Sequence, residues 1–139
     1  MLVKELVADA RASYRELAKK LGVSAGTVIA KVRELEERGV IRGYAAVLDH
    51  EKLGYGLAVV MDITVSKGKL VEMEKHIASR PNVLAVYDVT GQTDAVVIAK
   101  FKSREELSRF TKSILALPFV ERTNTHFVLS IMKEDFRLA

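Results

Sequence analysis

The chain has 139 residues, of which 49% are hydrophobic and 29% are charged, and its net charge is +4. This length allows one or two small domains with a real core, and the hydrophobic content excludes a disordered chain. The absence of cysteine excludes disulfides and thiolate metal sites, and no apolar stretch approaches the ~20 residues of a membrane-spanning helix. We recognise no signal peptide and expect a cytoplasmic protein.

The first 43 residues predict three short helices. Apolar residues at helical spacing indicate the first, at Leu2, Val3, Leu6 and Val7. Ser13 with Glu16 three residues later is a capping-box signature for the second, which Gly22 ends as a left-handed cap. Ser24 caps the third, and Gly39 closes it. Its buried stripe is predicted to be Val28, Val32 and Leu35.

The second and third helices are joined only by Leu21-Gly22-Val23-Ser24. Two capped helices with so short a connection are typical of a helix-turn-helix, whose second helix enters the DNA major groove. Between Arg11 and Arg33, six basic residues stand against one acid, Glu16, so the positive charge is concentrated where DNA phosphates need it. The pattern therefore predicts a DNA-binding domain over residues 1–43, although a solvated helix face would also explain the charge.

Ten residues in this segment are candidates for DNA contact. Thr27 and Lys31 lie four apart, off the buried stripe, and are expected to face base edges. Ser24 and the free N–H groups at the start of its helix suit a phosphate. Alternatively, Ser13 and Ser24 serve only as helix caps. The full set is Arg11, Ser13, Tyr14, Arg15, Ser24, Ala25, Gly26, Thr27, Lys31 and Arg33.

The rest of the chain predicts a hinge and an α+β domain. A strand is predicted from about Ile41 to Leu48. Residues 44–54 are assigned to the hinge, which consists of most of this strand and the linker that follows it. Residues 55–139 follow the order βαββαβ, which indicates a ferredoxin-like antiparallel sheet with helices on one face. The predicted strands are 57–65, 83–90, 95–101 and 120–132, and the predicted helices are 69–79 and 103–117. Apolar residues on both faces of the first two strands predict a sheet-on-sheet homodimer.

An enzyme is not expected from these residues. His50, His76 and His126 fall in a hinge, a helix and a strand without metal-ligand spacing. The sequence has no cysteine nucleophile and no glycine-rich phosphate loop, and no spacing supports a serine–histidine–aspartate triad. We therefore predict no catalytic residue, no metal and no cofactor.

The segments Tyr14–Ser24 and Val32–Tyr44, and the hinge from Ala45 to Gly54, resemble the leucine-responsive/asparagine-regulator (Lrp/AsnC) family of transcription regulators. The βαββαβ half resembles that family's regulatory domain, and Gly91-Gln92-Thr93-Asp94 stands where the domain carries a Gly-x-x-Asp turn. The resemblance covers essentially the whole chain. It implies a winged helix-turn-helix, a double-stranded promoter DNA partner and homodimers that assemble further, for example into octamers. The scarcity of Asn and Gln is typical of archaeal or thermophilic proteins.

Two features depart from the family pattern. Only about two helical turns precede Asp9, whereas the family's first helix usually begins several residues earlier. Gly26 and Ala30 provide no polar side chain where bulkier or basic residues often occur in the family. Base contacts are therefore expected to be few, and DNA shape is expected to contribute to recognition.

The resemblance also implies an amino-acid or related effector near the Gly-x-x-Asp turn and the last strand. Asp94 or Asp88 would bind the ammonium group, while amides and hydroxyls would bind the carboxylate. The candidate effector-binding residues are Asp88, Gly91, Gln92, Thr93, Asp94, Thr123 and Thr125. A purely structural turn, in which Asp94 accepts hydrogen bonds from nearby amides, explains residues 91–94 equally well.

The expected function is a sequence-specific DNA-binding transcription regulator that responds to an amino acid or a related metabolite. The first alternative is an architectural, weakly specific DNA-binding protein, which the small side chains at Ala25, Gly26 and Ala30 favour. The second is a metabolite-binding module that has lost DNA binding, which the short first helix favours. Affinity for promoter against random DNA and the salt dependence of binding distinguish the three.

Overall fold

The computed structural model describes residues 1–139, which divide into two units. One unit comprises residues 1–47 together with 133–139, and the other comprises residues 48–132. Each unit has its own buried hydrophobic cluster. No helix has the length and apolar content that crossing a membrane requires.

The first unit contains the three predicted helices: α1 (Leu2–Ala8), α2 (Tyr14–Leu21) and α3 (Ala25–Glu37). Both arms of the predicted capping box are present, because Ser13 Oγ accepts from the Glu16 N–H at 3.1 Å and Glu16 Oε2 accepts from the Ser13 N–H at 2.9 Å. Ser24 Oγ likewise accepts from the Thr27 N–H at 3.1 Å and caps α3. The buried stripe of α3 is the predicted one, and it packs in a cluster with Leu2, Leu17 and Ala18.

Gly22 ends α2 in the left-handed conformation that the sequence predicts. Its φ of +68° is disfavoured for residues with a Cβ, and both the Gly22 and the Val23 N–H groups donate to the Ala18 carbonyl. The chain therefore leaves α2 sharply and starts α3 two residues later. The C-terminal segment 133–139 also belongs to this unit, and the Arg137 guanidinium donates to the Val7 carbonyl at 3.5 Å.

The second unit is an antiparallel sheet of order β2-β3-β1-β4 with two helices against one face. Its strands are β1 (Leu57–Val65), β2 (Val83–Asp88), β3 (Ala95–Phe101) and β4 (Val120–Phe127). Its helices are α4 (Leu70–Ala78) and α5 (Arg104–Leu115). The predicted α+β class is confirmed, with a helix-turn-helix in the first unit and a ferredoxin-like antiparallel sheet in the second.

Alternating residues of β1 build the core of this unit. Val59, Met61 and Ile63 are fully buried and pack with Met73 of α4 and Ile114 of α5. The residues between them point to the opposite face of the sheet, which no helix of this unit covers. We call that second face the open face. Its residues include Val60, Asp62 and Thr64 of β1, with Val96 and Ile98 of β3.

Two expected strand segments are not strands in the structure. Residues 41–48 form no ladder with any other segment of the chain, so the prediction of a hinge strand there was wrong for the single chain. An extended segment becomes a strand only when a neighbour takes up its backbone hydrogen bonds, and the pattern of apolar residues cannot report that neighbour. For the same reason β4 ends at Phe127 rather than at Met132.

Replacing Ser13 by Ala tests the energetic weight of the capping box. We expect the Ser13→Ala variant to lose about 1 kcal/mol of unfolding free energy, because the first turn of α2 loses its side-chain acceptor. Urea denaturation followed by circular dichroism measures the change. The exposed Ser108, inside α5, is the matched control, and its replacement by Ala is expected to be neutral or slightly stabilising. Equal losses in both variants would contradict the capping role.

Candidate nucleic-acid interface and ligand pocket

The candidate DNA surface is formed by α3 and the start of α2. Ala25 lies half-buried, whereas nine of the ten predicted DNA-contacting residues are exposed. The guanidinium groups of Arg11, Arg15 and Arg33 form no hydrogen bond or ion pair within the chain. Each arginine that neutralises a DNA phosphate releases a counterion from the DNA, so these three arginines suit an anionic partner.

The N-terminus of α3 is only partly satisfied by its cap. Ser24 Oγ accepts from the Thr27 N–H, and the N–H groups of Ala25 and Gly26 have no acceptor in the chain. A Cβ added at Gly26 would meet only Ser24 Oγ, at 3.9 Å, so packing within the protein does not require glycine there. The free N–H groups suit a phosphate oxygen.

Two residues that sequence reasoning assigned to base edges are engaged within the protein. The Thr27 hydroxyl lies 2.9 Å from the Ser24 hydroxyl. Lys31 Nζ forms an ion pair with Glu34 Oε2 at 3.2 Å, and Glu34 also binds the Arg38 guanidinium at 3.1 Å. The hydrogen bonds from Lys31 and then Arg38 hold the pKa of the Glu34 carboxyl below its usual value. Glu34 therefore stays ionised, and a DNA phosphate would have to displace it to bind Lys31.

The Gly91–Asp94 turn is held by hydrogen bonds to β1. Asp94 Oδ2 accepts from the Val65 N–H at 2.9 Å, and the Thr93 hydroxyl donates to the Ile63 carbonyl at 2.9 Å. Gly91 has a φ of +111°, which favours glycine. The structure thus shows the structural role that the sequence offered for this turn.

Beside that turn, on the open face, lies a half-open pocket of about 540 Å³. Asp62 and Thr64 of β1 pair directly with Asn124 and Arg122 of β4, so these four side chains share one face. His126 Nε2 lies 3.0 Å from Asp62 Oδ2 and extends the polar cluster. The lining residues are Asp62, Thr64, Gln92, Thr93, Arg122, Thr123 and Asn124.

The structure brings only some of the predicted effector residues together. Gln92 and Thr93 line the pocket, and Thr123 is part of its lining although it pairs with the buried Ile63 and so has its side chain on the helix side of the sheet. Gly91 and Asp94 flank it within the turn. Asp88 ends the edge strand β2, which two strands separate from β4. Burial of Glu74, and then the negative charge of Asp88, raise the pKa of the Glu74 carboxyl. Thr125 pairs with the buried Met61, so it faces the helices rather than the pocket.

Sequence reasoning missed the four polar residues on the floor of the pocket, which are Asp62, Thr64, Arg122 and Asn124. The signal was available in the alternation of β1, where Asp62 and Thr64 occupy the face opposite the buried Val59, Met61 and Ile63. Two polar residues on the second face of an otherwise apolar strand indicate that this part of the sheet is hydrated or binds a ligand. Their register with β4 was not readable from the sequence, because a one-residue slip reverses the face of every side chain.

Comparisons with known proteins agree with both units. A winged helix-turn-helix DNA-binding family model matches residues 1–42, and the Lrp/AsnC ligand binding domain model matches residues 58–138. The chain belongs to the Lrp/AsnC family. It is 51% identical, over 96% of its own length and 90% of the relative's, to an HTH-type transcriptional regulator of Pyrococcus furiosus. That relative fits the archaeal or thermophilic character that the composition indicates.

Two solved structures resemble the whole chain. A transcriptional regulator from Neisseria meningitidis in complex with L-Met is 26% identical, with a TM-score of 0.90 over 99% of this chain and 92% of that one. A feast or famine regulatory protein from M. tuberculosis complexed with L-methionine is 31% identical, with a TM-score of 0.86 over 99% and 93%. The chain is thus a DNA-binding transcription regulator, and the expectation that it is not an enzyme is confirmed by its family.

Replacing Asp94 tests the structural role of the turn. We expect Asp94→Ala to lower the free energy of unfolding by about 1–3 kcal/mol, because it leaves the half-buried Val65 N–H without an acceptor. Asp94→Asn keeps an accepting oxygen at the same position and is expected to lose less. Urea denaturation of both variants measures the difference. A loss as large in Asp94→Asn as in Asp94→Ala would contradict this explanation.

Proposed function

We propose that the chain is a cytoplasmic regulator that binds promoter DNA through α2 and α3 and alters that binding when an amino acid enters the open-face pocket. The observation that carries the effector half is the pairing of Asp62 and Thr64 with Asn124 and Arg122 around one cavity. An amino acid carries an ammonium and a carboxylate, and this pocket offers a partner for each. The two similar structures that contain methionine support an amino acid as the ligand class.

Within the pocket we assign opposite ends of the ligand to opposite charges. The Arg122 guanidinium has no partner in the chain and matches a carboxylate with two parallel N–H donors. The Asp62 carboxylate would bind the ammonium group, with the Asn124 and Thr64 side chains beside it. Gln92 and Thr93 at the mouth would contact the ligand side chain, which places selectivity in the loop rather than in the sheet.

We also propose a homodimer in which two open faces meet. Val60, Val96 and Ile98 form an apolar strip on that face, and Tyr87 of the edge strand is 47% exposed beside it. An apolar strip without a helix over it favours cover by a second sheet. A dimer would also present two recognition helices to two DNA half-sites. Further assembly, for example into octamers, stays a prediction.

The candidate DNA contacts are assigned in the same way. The free arginines, Arg11, Arg15 and Arg33, together with the amide groups at the start of α3, would bind phosphates or bases. Tyr14 begins α2 and its side chain is 45% exposed, so we expect it to contact the DNA backbone. Ser13 and Ser24 act first as helix caps. An architectural DNA-binding protein is the second candidate function, because Ala25, Gly26 and Ala30 place no polar side chain on α3.

The function is tested by binding of the purified protein to its own upstream DNA and to scrambled DNA. We expect tighter binding to the upstream DNA, a steep loss of affinity with rising salt, and a shift on addition of one member of a panel of amino acids that includes L-methionine. A gel-shift assay at four salt concentrations measures all three. Equal affinity for both DNAs with no amino-acid effect would favour the architectural protein.

Replacing Arg122 tests the pocket separately from DNA binding. We expect Arg122→Gln to weaken binding of the responsive amino acid about tenfold or more, because a charge-assisted bidentate contact to the carboxylate is lost. Isothermal titration calorimetry measures the affinity. Arg109 is an exposed arginine on α5, outside the pocket, and Arg109→Gln is the matched control. Equal affinities of the two variants would show that the ligand binds elsewhere, whether or not the protein binds DNA.

A further inference from the structure

The outward line of the recognition helix α3 is opposite its buried stripe. Val28, Val32 and Leu35 face the core. At 3.6 residues per turn, the residues that point directly away from them are Gly26, Ala30, Arg33 and Glu37. All four are exposed. This line is the part of a recognition helix that lies deepest in a major groove, so its chemistry bears most directly on base readout.

The first two positions of the outward line carry almost no side chain. Gly26 has none and Ala30 has a single methyl group. Nothing in the protein explains the glycine, because an added Cβ would touch only Ser24 Oγ at 3.9 Å. A helix with so thin a surface can approach the floor of the groove closely. Such an approach shortens the reach required of the next side chain along the line, Arg33.

Arg33 is the cation of α3 that remains available. Lys31 points along the flank of the helix to Glu34, and Arg38 at the helix end binds the same carboxylate. Arg33 is exposed and has no hydrogen bond or ion pair with the rest of the chain. Its planar guanidinium matches the O6 and N7 acceptors of guanine in the major groove.

Ile29 lies four residues before Arg33, so the two side chains are neighbours on one flank of the outward line. It is 39% exposed although it belongs to a helix that has its own core. An exposed apolar side chain next to a base-reading arginine suits the C5-methyl group of thymine. Ala30 lies on the other side of Arg33, about 100° around the helix from Ile29.

We propose that Arg33 is the specificity-determining residue of this regulator and reads a guanine in each half-site, while Ile29 contacts a neighbouring thymine methyl. This assignment replaces the expectation that Thr27 and Lys31 read bases. In the new assignment Lys31 exchanges Glu34 for a DNA phosphate on binding. The inference rests on the proposed sequence-specific function of the full-length protein.

The test begins with selection of preferred sites from randomised double-stranded DNA by the wild-type protein. Affinities of wild type, Arg33→Met and Lys31→Met are then measured on the selected site and on the same site with each G·C pair replaced in turn. Methionine keeps an unbranched side chain at these exposed positions, and circular dichroism checks that both variants are folded. Lys31→Met is the matched control, since it also removes one charge from α3.

We expect Arg33→Met to lose about tenfold or more in affinity for the selected site, and to lose little further when one particular G·C pair is replaced. Lys31→Met should weaken binding to every site equally and reduce the salt slope by about 1. Uniform weakening by Arg33→Met with the same reduced slope would overturn the proposal and make Arg33 a phosphate contact. Absence of any preferred site for the wild type would overturn the sequence-specific function itself, which is a different result.

Discussion

Between α2 and α3 the chain has only Gly22, Val23 and Ser24 in which to change direction, and the DNA-binding unit depends on that turn. The left-handed Gly22 lets two N–H groups close on the Ala18 carbonyl, and Ser24 starts the next helix at once. The angle so fixed allows Leu17 and Val28 to meet in one buried cluster. It also leaves the opposite side of α3 without a packing role inside the protein, so that side is open to a partner.

The second unit depends on strand β1 in the same way that the first unit depends on the turn between α2 and α3. It lies between β3 and β4, and its alternation supplies the buried residues of one face and the floor of the pocket on the other. Asp94 and Thr93 bind the β1 backbone at Val65 and Ile63, which holds the loop against the strand. The loop at the pocket mouth is therefore positioned by the same strand that carries Asp62 and Thr64. A ligand that displaced this loop would act directly on β1, a central strand of the sheet.

Local chemistry was readable from the sequence. The capped starts of α2 and α3, the left-handed Gly22 and the limits of β1 and β3 follow from residues within one or two turns of each other, and the structure has them as predicted. What failed depends on partners distant in the chain. The 41–48 segment has the composition of a strand but no neighbour, and Thr125 was placed at the pocket although its register puts it beneath the helices.

The charge on α3 likewise depends on contacts that a count of basic residues does not show. A count of charges in the sequence treats Lys31 as a free cation. Glu34 follows Lys31 by three residues and precedes Arg38 by four, so the three side chains form a chain of ion pairs along one flank of the helix. Exposed pairs of this kind contribute little to stability. Their effect is instead on availability, because any phosphate must displace a carboxylate whose lowered pKa keeps it charged. Charge balance alone therefore overstates how much of a basic helix is open to DNA.

The position of the pocket has a consequence for regulation. Asp62 and Thr64 lie on the same face of the sheet as Val60, Val96 and Ile98, within two or three residues along adjacent strands. If a second chain covers the apolar strip, it also lies beside the pocket. It would then exclude water from the pocket, lower the dielectric constant there and restrict the entry of a ligand. A ligand that binds more tightly in the covered state must then favour assembly by the same free energy by which assembly favours the ligand. Effector binding and oligomerisation in this protein would be two sides of one equilibrium, and DNA occupancy would follow from the number of recognition helices that the assembly presents.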